Sequence, residues 1–103
     1  MKVLHVDLVI KANYLIINLD GNLSKESFKN INNMIKILKT ISIKNIFINL
    51  NNVIYIDNYG KNIILYICSI CKNNLGNLYI YAQNNSVLES LSCLTISKEK
   101  LLT

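Results

Sequence analysis

The 103-residue sequence contains no arginine and no proline, and it has only three glycines and one histidine. Arginine provides the bidentate contacts to bases and phosphates on which nucleic-acid recognition often depends. Because arginine is absent and the 11 lysines are scattered, the net charge of +5 indicates a solvated surface and predicts no nucleic-acid partner. No linker-like stretch or repeat interrupts a length that suits one hydrophobic core, which predicts a single domain over residues 1–103.

Long hydrophobic runs are also missing, although 51% of the residues are apolar. The longest continuous run, residues 63–68, is far below the roughly 20 residues of a membrane-spanning helix, so we expect no membrane insertion. Charged residues occupy the N-terminal segment, where a signal peptide needs an apolar centre. We therefore expect a cytoplasmic protein in a reducing compartment, with Cys68, Cys71 and Cys93 present as thiols.

The spacing of the apolar residues predicts an α/β fold. Strands are predicted at residues 3–10, 14–19, 45–50 (extended by 53–56) and 78–82, and helices at residues 25–40, 59–73 and 86–94. We expect Asp20, Gly21 and Asn22 to end the second strand, and Gly76 to cap the end of the second helix. The order β-β-α-β-α-β-α requires a mixed sheet of four to five strands, in which helices connect the parallel strands.

Both long helices are predicted to be amphipathic, with their apolar faces packed on one side of the sheet. In the first helix, which Ser24 is expected to cap, the apolar face consists of Phe28, Ile31, Met34, Ile35 and Leu38. In the second helix the apolar face consists of Tyr59, Ile63, Ile64, Ile67, Ile70 and Cys71. Leu65 lies on the opposite face, among the lysines.

The residues that could support catalysis or metal binding are few. His5 lies in an apolar strand with no partner at motif spacing, which indicates a structural or surface role. Cys68 and Cys71 have C-x-x-C spacing but lie in the third turn of a helix, so they are interpreted as small apolar side chains. Asp20 and Asp57 each follow a strand and are either caps or, alternatively, a paired-carboxylate site. We predict no enzymatic activity, no metal and no cofactor.

One strand–helix junction has the features of a binding site. The strand that ends at Ile56 runs directly into Asp57, Asn58, Tyr59 and Gly60, and a helix follows at once. A helix N-terminus collects unpaired N–H groups and partial positive charge, and either Asp57 or Asn58 can cap it. The same position is favourable for an anion or a phosphate group.

At this junction the chain resembles the STAS family, the domain of anti-sigma factor antagonists, which has Asp-Ser-Ser/Thr-Gly there. The segment Gly21-Asn22-Leu23-Ser24 is similar to the family's Gly-Glu-Leu-Asp, and residues 46–50 are similar to its apolar strand that ends in Asn/Asp-Leu. Gly76 matches the glycine before the family's next strand. The resemblance covers about residues 3–95. It implies the STAS fold, with helices mainly on one face of the sheet and a shortened C-terminus.

The resemblance also implies regulation of transcription by partner switching. In signalling members, an anti-sigma factor with an ATP-binding, kinase-like fold phosphorylates the first Ser/Thr after the Asp. In this chain that position is Asn58, the second Ser/Thr position is Tyr59, and the Asp of the earlier loop is Ser24. We therefore expect a divergent antagonist that binds its anti-sigma factor without serine phosphorylation at the usual site.

The residues expected to form the partner-binding surface are Ser24, Asp57, Asn58, Tyr59, Gly60 and Leu65. Gly60 would permit close approach of the backbone, Ser24 and Tyr59 would form a rim, and Leu65 would add an apolar contact. The alternative is a non-enzymatic scaffold or accessory subunit, either of a lipid-transport ATPase complex or of a stress-sensing assembly, because a fold alone does not fix a function.

Overall fold

The computed structural model describes residues 3–42, 44–83 and 101–102. Its elements, in chain order, are β1 (His5–Ile10), β2 (Tyr14–Leu23), a 3-10 turn (Lys25–Ser27), α1 (Phe28–Thr40), β3 (Asn45–Ile56), α2 (Asn58–Asn73), β4 (Asn77–Tyr81) and β5 (Leu101–Leu102). The strands form one sheet in the order β1-β2-β3-β4-β5, in which β1 is antiparallel to β2 and the other pairs are parallel. The predicted α/β fold is confirmed, while the helix predicted at residues 86–94 and Cys93 lie outside the described residues.

One face of the sheet carries the hydrophobic core. Successive side chains of a strand point to opposite faces, so the alternating apolar residues of β2, β3 and β4 form a continuous surface. The buried strand residues of this surface are Leu15, Ile17, Leu19, Leu23, Ile46, Ile48, Leu50, Val53, Ile56, Leu78 and Ile80. Buried residues of α1 and α2 join the same cluster, as expected for helices that connect parallel strands.

Helix α1 packs through Ile31, Met34 and Leu38, which are all buried and confirm the predicted apolar face. The prediction was wrong for Phe28, whose side chain is 46% exposed. Residues 25–27 form a 3-10 turn, so Phe28 is the first residue of the α-helix. Because helical side chains lean toward the N-terminus, Phe28 projects beyond the layer that the following turns cover.

Helix α2 packs through Ile64, Ile67 and Cys71, which are buried as predicted. Ile63 and Ile70 are partly buried against the same core. Cys68 is half-buried and Cys71 is 1% exposed, and no disulfide joins them. The positions of both cysteines on the inner side of α2 confirm their interpretation as packing residues.

The second strand does not end at residues 20–22, and that prediction was wrong. Strand β2 continues to Leu23 alongside the long strand β3, with shifts of register between Asn18 and Asp20 and between Gly21 and Asn22. Gly21 has φ +116°, and an added Cβ atom would lie 2.8 Å from the carbonyl oxygen of Val3. Glycine therefore lets the strand pass through an irregularity that would otherwise end it.

The expected glycine cap at the end of α2 was also wrong. Leu75 takes the left-handed conformation, with φ +58°, and its side chain is 88% exposed. Gly76 follows it, and its N–H donates to the Cys71 carbonyl oxygen at 2.8 Å. A Cβ atom on Gly76 would overlap the carbonyl group of Lys44. Close approach of two backbone segments, and not a left-handed conformation, requires glycine at this position.

The other face of the sheet carries a cluster of aromatic side chains. The Phe47 ring stacks on the Tyr79 ring with centroids 4.8 Å apart, and the Tyr14 ring meets Phe47 edge-on at 5.6 Å. Asn49 Nδ2 donates to Asn18 Oδ1 at 3.1 Å beside them. Cross-strand pairs of this kind stabilise the sheet on the face that α1 and α2 leave open.

Candidate functional site

The candidate site lies at the carboxyl ends of β2 and β3. These strands are parallel, and Leu23 pairs with Ile56 at their last residues. The loop that starts at Ser24 and the N-terminus of α2 therefore leave the sheet side by side. This parallel pairing brings together segments that are more than 30 residues apart in the sequence.

The carboxylate of Asp57 connects the two segments. Its Oδ1 atom accepts a hydrogen bond from the backbone N–H of Gly60 at 2.8 Å, so Asp57 is the N-cap of α2. Its Oδ2 atom accepts from the backbone N–H of Lys25 at 3.0 Å. One side chain thus satisfies an unpaired N–H group of α2 and another at the start of the 3-10 turn. Of the two residues that the sequence offered as caps, the structure selects Asp57.

Gly60 brings α2 against the end of β2. A Cβ atom at this position would overlap the carbonyl oxygen of Leu23 and lie 3.0 Å from Ile56 Cγ2. The backbone N–H of Asp57 also donates to the Leu23 carbonyl oxygen, at 3.4 Å. A side chain at residue 60 would push α2 away from β2. Gly60 therefore permits the close approach of the backbone that was expected at this position.

Asn58 and Tyr59 occupy the first turn of α2. Asn58 is the first helical residue and its side chain is exposed, whereas Tyr59 is half-buried and packs against the core. A side chain at the first helical position lies next to the positive end of the helix dipole, where a negative charge is favoured. Asn58 presents a neutral amide there.

Ser24 is less accessible than a rim residue would be, and Leu65 is only partly accessible. Ser24 is 2% exposed, and its hydroxyl oxygen has no hydrogen-bond partner within residues 3–42, 44–83 and 101–102. It precedes the 3-10 turn without capping it through its side chain, so the expected cap by Ser24 is not observed. Leu65 is half-buried in α2, about two turns after Asn58.

Two exposed apolar side chains beside this junction were not predicted from the sequence. Ile54 is 57% exposed and Tyr55 is 56% exposed, and both lie near the end of β3, just before Asp57. The alternation of β3 breaks at Asn51 and Asn52, where two consecutive residues are exposed. Two adjacent polar residues inside an apolar strand were the signal that the phase changes at this point.

The remaining candidates for chemistry do not come together. His5 is exposed in β1, and Asp20 lies inside β2 and not at its end. No group of three or more His, Cys, Asp or Glu side chains within the described ranges could hold a metal ion. In the same part of the chain, no helix is long and apolar enough to cross a membrane.

Comparison with protein families gives a match to the STAS domain over residues 5–100. No curated protein matches the sequence. Among solved structures, the unphosphorylated anti-sigma factor antagonist SpoIIAA is similar with a TM-score of 0.69 and 14% identity, over 92% of each chain. The phosphorylated form of SpoIIAA from Bacillus has a TM-score of 0.75 and 13% identity, over 95% of this chain and 89% of the other.

A Ser-to-Glu variant of RsbS from Moorella thermoacetica is similar with a TM-score of 0.71 and 10% identity, over 95% of this chain and 84% of the other. These identities are low, so the solved structures support the fold. The family match covers most of the sequence and agrees with the motif at residues 57–60. The chain belongs to the STAS domain family.

Proposed function

We propose that this STAS domain is a divergent anti-sigma factor antagonist that binds an ATP-binding anti-sigma factor through the N-terminus of α2. The proposal is supported above all by the junction at Asp57, which holds the loop after β2 and the start of α2 together as one surface. One of the similar solved structures carries the description anti-sigma factor antagonist. In this role the domain acts in the cytoplasm by binding alone, with no catalytic activity and no cofactor.

The docking surface, as we define it, comprises Ile54, Tyr55, Asn58, Tyr59 and Leu65. Ile54, Tyr55 and Asn58 are exposed, and Tyr59 and Leu65 are half-buried. Exposed apolar side chains around a polar centre are typical of a surface that binds protein. Asp57, Gly60 and Ser24 contribute differently: Asp57 and Gly60 fix the position of α2, and Ser24 lies beneath the surface.

Binding is proposed to be constitutive. Phosphorylation of a serine at the start of α2 would add about 1.5 to 2 negative charges to the docking surface. Asn58 has no hydroxyl group that could be phosphorylated. The hydroxyl groups at the two related family positions, Ser24 and Tyr59, are poorly placed as substitutes. Ser24 is 2% exposed, and Tyr59 is half-buried against the core. Affinity for the partner then depends on shape and on the neutral amide at residue 58.

The first experiment identifies the partner by affinity capture from the source cells. The Ile54→Lys variant serves as the negative control, because it adds a charge to the docking surface at a side chain that the core does not use. We expect the parent protein, and not the variant, to capture an anti-sigma factor with an ATP-binding domain. Capture of a transport ATPase instead would support the accessory-subunit alternative.

The second experiment tests constitutive binding with the purified pair. The parent protein and the Asn58→Ser variant are incubated with the anti-sigma factor and ATP, and phosphate is mapped by mass spectrometry. We expect phosphate on the introduced serine of the variant only if the partner retains kinase activity, and none on the parent. Phosphate on Ser24, Tyr59 or another residue of this surface, such as Tyr55, in the parent would contradict constitutive binding.

A further inference from the structure

Strand β1 leaves one edge of the sheet open. It is the first strand in the order β1-β2-β3-β4-β5, and within the described residues it pairs only with β2. A strand edge presents unpaired N–H and C=O groups that can pair with a further strand. The pairing geometry shows which groups these are.

The hairpin between β1 and β2 fixes the direction of each backbone group. The N–H of Lys11 donates to the carbonyl oxygen of Tyr14 at 2.9 Å, so residues 11 and 14 form a hydrogen-bonded pair. Hydrogen-bonded and non-hydrogen-bonded pairs alternate along an antiparallel ladder. In the observed register, His5, Asp7 and Val9 therefore bond to β2. The backbone groups of Val6, Leu8 and Ile10 point away from the sheet.

Leu4 confirms this alternation and marks where the open edge ends. As an even-numbered residue it also points outward. Its N–H donates to Ser27 Oγ at 3.1 Å, and its carbonyl oxygen accepts from Asn30 Nδ2. Leu4 is thus already bonded within the chain. The open edge consists of Val6, Leu8 and Ile10.

The open edge lacks most of the features that protect an edge strand, and Asp7 is the one acidic side chain of β1. Lysine, proline and bulges are absent from β1, and its ladder with β2 is regular over six residues. A groove of about 280 Å³ runs between β1 and α1, and its lining includes Val6, Leu8 and Ile37. Ile37, which lines this groove, is 44% exposed, and Ile10 at the end of β1 is 60% exposed. An added strand would cover apolar side chains as well as backbone groups.

We propose that a second copy of this chain pairs with the open edge, β1 against β1 in antiparallel orientation about a two-fold axis at Leu8. In this register Leu8 faces Leu8 of the second copy, and Val6 faces Ile10 of the second copy. Each of these pairs exchanges two hydrogen bonds, and every open backbone group of the edge is used. The side chains of these hydrogen-bonded pairs are all aliphatic, which is favourable across strands. Between them, Asp7 faces Val9 of the second copy.

The neighbouring registers are less favourable. An axis at Val9 or at Ile10 would set a residue of the open edge against Ala12, which lies beyond the end of β1. An axis at Val6 or at Asp7 would require Leu4 to form pairing bonds, although Leu4 is already bonded to Ser27 and Asn30. An axis at Asp7 would also place two carboxylates opposite each other. A slip by one residue would place backbone groups that point outward from one copy opposite groups that already bond to β2 in the other copy. It would also turn the apolar face of one sheet to the opposite side. The self-complementarity of the edge selects a second copy as its occupant.

The test is the mass of the purified chain in reducing buffer, measured by sedimentation equilibrium up to about 1 mM. We expect the average mass to rise from 11.8 kDa toward twice that value as concentration increases. Ile10→Lys should abolish the rise, because a lysine would replace an aliphatic residue that faces Val6. Leu75→Lys is the matched control, since Leu75 is also exposed but follows α2, away from β1, and it should associate like the parent.

Amide hydrogen exchange locates the contact. Protection of the Val6, Leu8 and Ile10 amides should increase with protein concentration, whereas protection of Asp7 and Val9 should not change. A chain that stays monomeric over the whole range would overturn the proposal. So would a dimer that Ile10→Lys leaves intact, or concentration-dependent protection at other strands only. All of these measurements are independent of the anti-sigma factor.

Discussion

Loss of the Asp57 carboxylate should loosen the candidate site and destabilise the whole domain. Its two oxygens hold the backbone N–H groups of Gly60 and Lys25, at 2.8 and 3.0 Å. Asp57→Ala removes both acceptors. Asp57→Asn retains one carbonyl oxygen and replaces the other acceptor with an NH₂ group, which cannot accept a hydrogen bond from a backbone N–H.

The magnitude follows from these two bonds. Loss of a capping side chain costs about 1 kcal/mol of unfolding free energy, and loss of a second, exposed hydrogen bond to the carboxylate costs about 1 kcal/mol more. We therefore expect Asp57→Ala to lower the unfolding free energy by about 2 kcal/mol and Asp57→Asn by about 1 kcal/mol. For a domain of this size, 1 kcal/mol corresponds to a decrease in Tm of roughly 4–8 °C.

Urea unfolding followed by circular dichroism measures the series directly. Asp7→Asn is the control, because Asp7 is exposed in β1, and it should stay within about 0.5 kcal/mol of the parent. The expected order of stability is parent, then Asp57→Asn, then Asp57→Ala. If Asp57→Ala unfolds at the same urea concentration as the parent, the carboxylate does not connect the two segments and our description of the site is wrong.

Three further substitutions test the same region and its surroundings. Asn58→Asp should weaken the complex with the anti-sigma factor, measured by calorimetry, whereas Asn58→Ser should bind like the parent. The added negative charge at the start of α2 should stabilise the fold by about 0.3–1 kcal/mol, so a loss of binding would not reflect unfolding. Gly60→Ala should lower the unfolding free energy by about 2 kcal/mol or more in urea titration, because its Cβ atom would overlap the Leu23 carbonyl oxygen, and an unchanged midpoint would contradict this close approach. Leu75→Gly should raise Tm, because glycine adopts at low cost the left-handed conformation that costs leucine about 1 kcal/mol. The exposed Leu75 side chain contributes little packing that could be lost, so a decrease in Tm would refute the prediction.

The sequence by itself determined most of the elements and the core-facing side of each helix. The period of 3.6 in α1 and α2 identified Ile31, Met34, Ile64 and Ile67 as buried, because a helix on a sheet can hide only one face. The motif at residues 57–60, taken with the order of the elements and with residues 21–24 and 46–50, also indicated the family, since Asp57 and Gly60 reflect local needs. Helix α2 requires the cap that Asp57 provides, and its close approach to the end of β2 requires Gly60. Both residues lie within four consecutive positions of the sequence.

The tertiary structure alone decided the features that depend on residues distant in the sequence. Asp57 accepts a hydrogen bond from the backbone N–H of Lys25, which is 32 residues away in the sequence, and no local sequence pattern predicts this contact. Strand β2 continues past Gly21 because β3 lies beside it, although the local sequence predicted a break. The exposure of Phe28 and Tyr55 likewise depends on where the neighbouring layer ends. Periodicity predicts which face of an element is apolar, but only packing determines how far along the element that face is covered.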